Sequence, residues 1–293
     1  MKNPCRALLS AMLFTQSFLF LTSCAGGGGT GTERYRYAPV PGKTIGVWPD
    51  NWTTERLAQL RTRYGFNHVM VPVNREFYDN ALQAGFPSTN IAVAFAYGGY
   101  TTAVDELDSP MYCVDEAVEH KCNGEPSAGK IHTPEELGSI RAYIHSRRPG
   151  AKFMSSGYKR CSHLRILATF VDGIMYSAYK NWTELNLPVC NPNLGWGDAW
   201  ESGWVDTPDD QSESWTSMRN LFGEKFSMTW IRGREDEYAT LLPHANTLGL
   251  TGLWLYHGEP IDTTKLVNFC NAAFENDWMT RTPLGSQPSS SGN

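Results

Sequence analysis

Asp115 and Glu116 stand side by side where the apolar run Met111-Tyr112-Cys113-Val114 ends. Tyr112, Cys113 and Val114 are residues that a parallel sheet buries on both faces. Two adjacent carboxylates raise each other's pKa, which costs stability unless a reaction needs a carboxyl that keeps its proton near neutral pH. Proton donation to a leaving oxygen is such a reaction. Glu119, His120 and His132 lie close by in the sequence, but they match no short metal-ligand spacing on one helix face. They read as a solvated loop, and no metal is expected.

Such acids need a scaffold, and short apolar runs alternate with amphipathic stretches along the chain. The runs are Thr44–Trp48, 68–73, 91–95, 111–114, 152–154, 173–176, 226–231 and 252–256. A helix opening at Thr53 puts Leu57, Leu60 and Tyr64 on one face. Thr133-Pro134-Glu135-Glu136 combines an N-cap threonine, a first-position proline and an acidic first turn. A last helix begins near Thr263, with Cys270 on its buried face. Eight strands with helices between them predict an α/β chain folded as a single (β/α)8 TIM barrel over residues 41–280. An open doubly wound sheet would stop at about five or six strands, and no G-x-G-x-x-G follows the first run. The third and fifth helices are weak in sequence, so irregularity is expected there.

In this architecture the residues just after each strand meet at one face, where active sites sit. The first strand brings Asp50 and Trp52 there, the second Asn74 and Arg75, and the third Tyr97 and Tyr100. Strand four brings Asp115 and Glu116, and strand five Tyr158 and Lys159. The sixth offers Tyr176, Tyr179 and Trp182, the seventh Arg232, Arg234 and Glu235, and the eighth His257 and Glu259. Residues 181–210 are rich in Gly, Pro, Asn and Asp and read as a long binding loop. Four of the chain's 10 tryptophans, Trp182, Trp196, Trp200 and Trp204, crowd into it. Aromatic planes beside carboxylates suit sugar rings, whose C–H faces stack while their hydroxyls reach acidic acceptors.

Glycoside hydrolysis uses one protonated carboxyl and a second group that stabilises or attacks the anomeric carbon. Val114-Asp115-Glu116 resembles the Asp-Glu pair after strand four in glycoside hydrolase families 20 and 123. That resemblance implies Glu116 as general acid and Asp115 as the group that orients the substrate's own 2-acetamido nucleophile. It also implies a hydrogen bond from Tyr176 or Tyr179 to the acetamido carbonyl, and N-acetylhexosamine-containing glycans as substrates. Trp48, Asp50, Tyr97, Tyr158, Tyr176, Tyr179, Trp182 and His257 are the expected substrate-binding residues. A second reading resembles the retaining hydrolases of clan A, with Glu116 as acid/base and Glu235 as nucleophile. Those enzymes carry Asn where Asp115 stands here, and Glu235 also reads as a first-turn acid opening a helix. No cofactor is expected; G-x-S-x-G and phosphate-cradling loops are absent from the sequence. The alternative from another class is a surface lipoprotein that binds glycan or peptidoglycan without cleaving it.

The ends of the chain bear on its compartment. Lys2 and Arg6 precede an apolar stretch at 7–21, too short for a spanning helix, that ends in Leu21-Thr22-Ser23-Cys24. This tetrad resembles the lipobox of bacterial lipoproteins, which implies a signal peptide at 1–23 and a diacylated Cys24 as the mature N-terminus. Residues 24–40 then form a Gly-rich tether and 281–293 a disordered tail. The expected location is the cell envelope, outside the cytoplasm, with the membrane reached through the lipid. Loss of Lys2 and Arg6 takes the formal charge from −5 to −7. No basic stripe remains, so nucleic acid is excluded as a partner and a monomer acting on carbohydrate is expected. An exported chain can form disulfides, and spacing suggests Cys113–Cys122 and Cys161–Cys190, with Cys270 left over.

Overall fold

The computed structural model describes residues 35–95, 99–115, 132–157, 168–177, 211–232, 235–256 and 263–284. In chain order its elements are β1 (Tyr35–Pro39), β2 (Thr44–Trp48), α1 (Thr54–Thr62), β3 (His68–Pro72), α2 (Arg75–Gln83) and β4 (Ile91–Phe95). Then come α3 (Tyr100–Glu106), β5 (Met111–Asp115), α4 (Pro134–Arg147), β6 (Lys152–Gly157), β7 (Gly173–Ser177) and α5 (Gln211–Phe222). The rest are β8 (Met228–Arg232), α6 (Glu235–Thr247), β9 (Gly252–Tyr256), α7 (Thr263–Glu275) and β10 (Met279–Pro283). Strands β2 to β9 pair in parallel in sequence order, and β9 returns to pair with β2. The chain is a (β/α)8 barrel, and each of the eight apolar runs forms one of its strands.

The helices begin where the local chemistry sets them. Thr53 caps α1 by accepting the Arg56 amide, and Asn74 caps α2 by accepting the Phe77 amide. At α4 the capping box is complete: Glu136 N–H donates to Thr133 Oγ1 at 3.2 Å and Thr133 N–H to Glu136 Oε2 at 2.9 Å.

Outside the barrel, β1 and β10 form an antiparallel ribbon, with Tyr35 opposite Pro283 and Pro39 opposite Met279. Residues 35–39 were expected in the tether, and 281–283 in the tail. The ribbon is seated rather than loose. Tyr37 N–H donates to Arg63 O at 3.0 Å, and its hydroxyl donates to Asn271 Oδ1 at 2.7 Å. Gly65 closes the contact: at φ +71 it adopts a turn that side chains disfavour, and a Cβ there would lie 2.6 Å from Tyr37 O.

Two apolar shells hold the barrel. Strand positions alternate between them, which is why the runs read as continuous rather than alternating hydrophobics. Ile45, Val47, Tyr112, Val114, Leu253 and Leu255 join the outer core under the helices. Met70, Ala92, Ala94, Met111, Cys113, Met154, Met175, Trp230 and Trp254 form the inner cluster, with Trp48 and Met228 packed against it. Large and small residues complement one another inside. The alanines of β4 stand across the ring from Trp230 on β8, and Gly46 lies in register with Trp254 on β9. A Cβ on Gly46 would fall 2.3 Å from the Trp254 ring.

Polar contacts tie down the N-terminal ends of the strands. Asp172 accepts from the Phe153 amide, from Arg141 and from His145, each at 2.9 Å. Burial alone would raise the Asp172 pKa, but these three donors outweigh it and hold the carboxyl below its ordinary value. His68 Nδ1 sits 2.9 Å from Asn67 Oδ1, and its ring lies edge-on to Trp254. Burial pushes the His68 pKa down to about 4.

Two predictions follow from this packing. Gly46→Ala forces the Trp254 ring to move and is expected to cost roughly 3 kcal/mol, at the upper end of overpacking effects. Urea denaturation should show a lower midpoint at unchanged slope, with partial recovery in Gly46→Ala/Trp254→Leu. His68 remains neutral in the fold while the unfolded chain takes up a proton below about 6.5. Stability should therefore fall as pH drops from about 6.5 to about 4, by on the order of 3 kcal/mol, and His68→Gln should flatten that window. The loss of the Asp172 contribution lies at more acidic pH, so the two are separable.

Candidate functional site

The C-terminal ends of the strands form the barrel mouth. On one side, Trp48 at the end of β2 is in register with Tyr256 at the end of β9, which is in register with Arg232 at the end of β8. One pleat deeper, the Trp230 ring meets Tyr256 edge-on at 6.1 Å and Trp254 at 5.7 Å. Trp254 is fully buried, Trp230 nearly so, and Tyr256 is 38% exposed. This is an aromatic stack that rises from the barrel interior to solvent.

Beside it, the loop between β2 and α1 is held rigid. Trp52 stacks on Phe77 at 4.9 Å and 8°, and meets Trp48 edge-on at 5.7 Å. Asn80 Nδ2 donates to Trp52 O, and the Thr53 amide donates to Asn51 Oδ1. Arg56 Nε reaches Asp50 Oδ1 at 3.1 Å while its Nη1 donates to Gln59 Oε1 at 2.7 Å. Asp50 is thus a rim carboxylate neutralised by a neighbouring guanidinium, and its visible role is to hold the loop that backs Trp48.

The facing side of the mouth is different in kind. In a closed ring of eight strands, β5 stands across from β9 and β6 across from β2. Asp115, the last residue of β5, is in register with Ser156 on β6. Met111 and Cys113, earlier on β5, fill the interior. The mouth therefore sets the Trp48–Tyr256 register pair against the Asp115–Ser156 register pair.

Several other expected rim residues lie within the described elements. Asn74 caps α2, and Arg75 pairs with Asp79 at 3.0 Å and donates to Glu106 O. Tyr100 packs in α3 between Phe95 and Tyr143. Tyr176 lies in β7, in register with Gly157 and Thr229, and alternates with the inner residue Met175. Glu235 is the first residue of α6. Glu116, Tyr97, Tyr158, Tyr179, Trp182 and His257 lie outside the described residues, as do Cys24, Cys122, Cys161 and Cys190. Cys113 is buried in the inner cluster, and no disulfide occurs among the described residues. No group of three or more His, Cys, Asp or Glu among them is placed to hold a metal.

Sequence reading passed over Tyr256, Trp230 and Ser156. Most of the expected rim residues follow the strands, whereas the last inward positions of a strand also face the mouth. Alternation within Met228–Arg232 and Gly252–Tyr256 was the signal that marks them.

A groove of about 450 Å³ lies at the opposite, N-terminal face, among Ser88, Asp108, Ser109, Pro110, Arg147 and Arg148. Its polar groups engage one another. Arg148 pairs with Asp108 at 3.2 Å and donates to Val104 O, while the Ser109 hydroxyl donates to Ile91 O. That end of a barrel serves stability rather than chemistry.

No family model matches the chain, and no curated protein matches it. The barrel is compatible with a glycosidase-like enzyme, as it is with other chemistries, so function must be argued from the mouth.

Proposed function

We propose that the barrel mouth is a carbohydrate site and that the protein cleaves a glycosidic bond with a carboxyl general acid. The observation that carries this reading is the opposition of an aromatic wall on β2 and β9 to an acid-bearing strand end on β5. A pyranose offers an apolar C–H face and a polar edge, and the two sides of the mouth match those two surfaces. Glu116, which follows Asp115, is the proposed acid. Adjacency to a second carboxylate favours its protonated form, as proton donation near neutral pH requires. Asp115 is its partner, oriented toward a 2-acetamido group where the substrate carries one. Glu235 is the weaker candidate for a second carboxylate, because its place at the start of α6 already accounts for an acid there. The protein is proposed to act at the cell envelope, outside the cytoplasm, on an acyl anchor at Cys24. Leu21-Thr22-Ser23-Cys24 and the following glycines support that placement.

Hydrolysis of a panel of chromogenic glycosides, N-acetylhexosaminides included, tests the activity. Wild type is expected to turn over at least one, and Glu116→Gln to lose about 10²-fold or more of kcat, the scale of general acid catalysis. No turnover by wild type, with glycan retention on a column unchanged by Glu116→Gln, would leave a binding protein. Labelling with radioactive palmitate in an expressing bacterium tests the anchor. Incorporation should occur in the full chain and vanish in Cys24→Ser.

A further inference from the structure

We infer that Tyr256 is the ring-stacking residue of the proposed carbohydrate site, the platform on which a pyranose lies with its other side turned to β5. The inference rests on the carbohydrate reading and adds to it a residue and a substrate orientation.

Three observations lead to it. Tyr256 ends β9, with 38% of its surface exposed although it belongs to a strand whose other residues are buried. A partly exposed aromatic residue at the mouth of a barrel offers apolar surface to whatever enters. Second, the ring is held from below. Trp230 meets it at 89°, Trp254 meets Trp230 at 60°, and Trp254 occupies the space that Gly46 leaves by lacking a Cβ. A plane fixed by packed neighbours loses little side-chain entropy on binding, which is what a recognition surface needs. Third, closure of the ring puts β5 across from β9 and β6 across from β2. A pyranose on Tyr256, flanked by Trp48 in register, turns its far side to the Asp115 and Ser156 positions.

The same geometry says why the platform is Tyr256 and not the tryptophans beneath it. Trp254 and Trp230 are 0% and 5% exposed, so they can support a ligand-binding ring but cannot cover a sugar themselves. The tryptophan pair is the foundation; the tyrosine is the surface.

The test compares wild type, Tyr256→Phe, Tyr256→Leu and Tyr256→Ala, each checked for folding by its thermal melt. The probes are oligosaccharides of N-acetylglucosamine, glucose and galactose, with binding measured by calorimetry in the Glu116→Gln background. KM and kcat are read in the Glu116-containing proteins on any glycoside that wild type hydrolyses. Tyr256→Leu and Tyr256→Ala should weaken binding and raise KM roughly tenfold, with kcat less affected, because a stacked aromatic contact is lost. Tyr256→Phe keeps the plane and should bind within about threefold of wild type. Should Tyr256→Ala fail to fold, Tyr256→Leu keeps the apolar bulk without the plane and decides alone. Binding by Tyr256→Leu equal to wild type would overturn the platform and leave the carbohydrate reading standing. No binding of any probe by the Glu116→Gln protein, with no hydrolysis by wild type, would remove both.

Discussion

The barrel depends on how its interior is filled. Eight parallel strands enclose a space that water must not occupy, and here much of it is taken by two tryptophans and a set of methionines. Trp254 fits only because Gly46 on the neighbouring strand carries no Cβ, and Trp230 fits because β4 opposite it offers alanines. Met154 and Met228 use the glycines at 173 and 252 in the same way. Close-packed interiors tolerate little change in volume, so these pairings act together to set which side chain lies at which height.

The C-terminal end of the barrel inherits that order. The stack from Trp254 through Trp230 to Tyr256 runs from the buried core to the C-terminal ends of the strands, so packing is what fixes the orientation of the partly exposed ring. The adjacent loop is fixed by a different means, through the Arg56–Asp50 pair, the Trp52–Phe77 stack and the cap at Thr53. The opposite end of the barrel is held by part-buried polar groups, with Asp172 receiving three donors and His68 kept neutral by desolvation. The contacts at the N-terminal end serve stability, and the proposed carbohydrate site lies at the other, where the C-terminal ends of parallel strands meet.

Much of the architecture was legible because its signals are local. Both-face burial writes each barrel strand as an unbroken apolar run, and Thr53 and Thr133 announce their helices through a cap that acts within one turn. The ribbon of β1 and β10 was not legible. Tyr35–Pro39 and Met279–Pro283 find each other from opposite ends of the described chain, and neither carries a pattern that names its partner. Asn74 and Arg75 looked like rim chemistry and serve α2, since residue type at a strand end does not distinguish a cap from a ligand contact.

By itself the sequence determined the barrel class, the places of its strands and the acidic end of β5, because burial pattern and capping are properties of neighbouring residues. Only the tertiary structure decided that Tyr256 and Trp48 stand across from Asp115 and Ser156. That opposition exists because β9 pairs with β2. Without that closing ladder the strands form an open row in which β5 and β9 have no facing relation, and no stretch of sequence records where a ring closes.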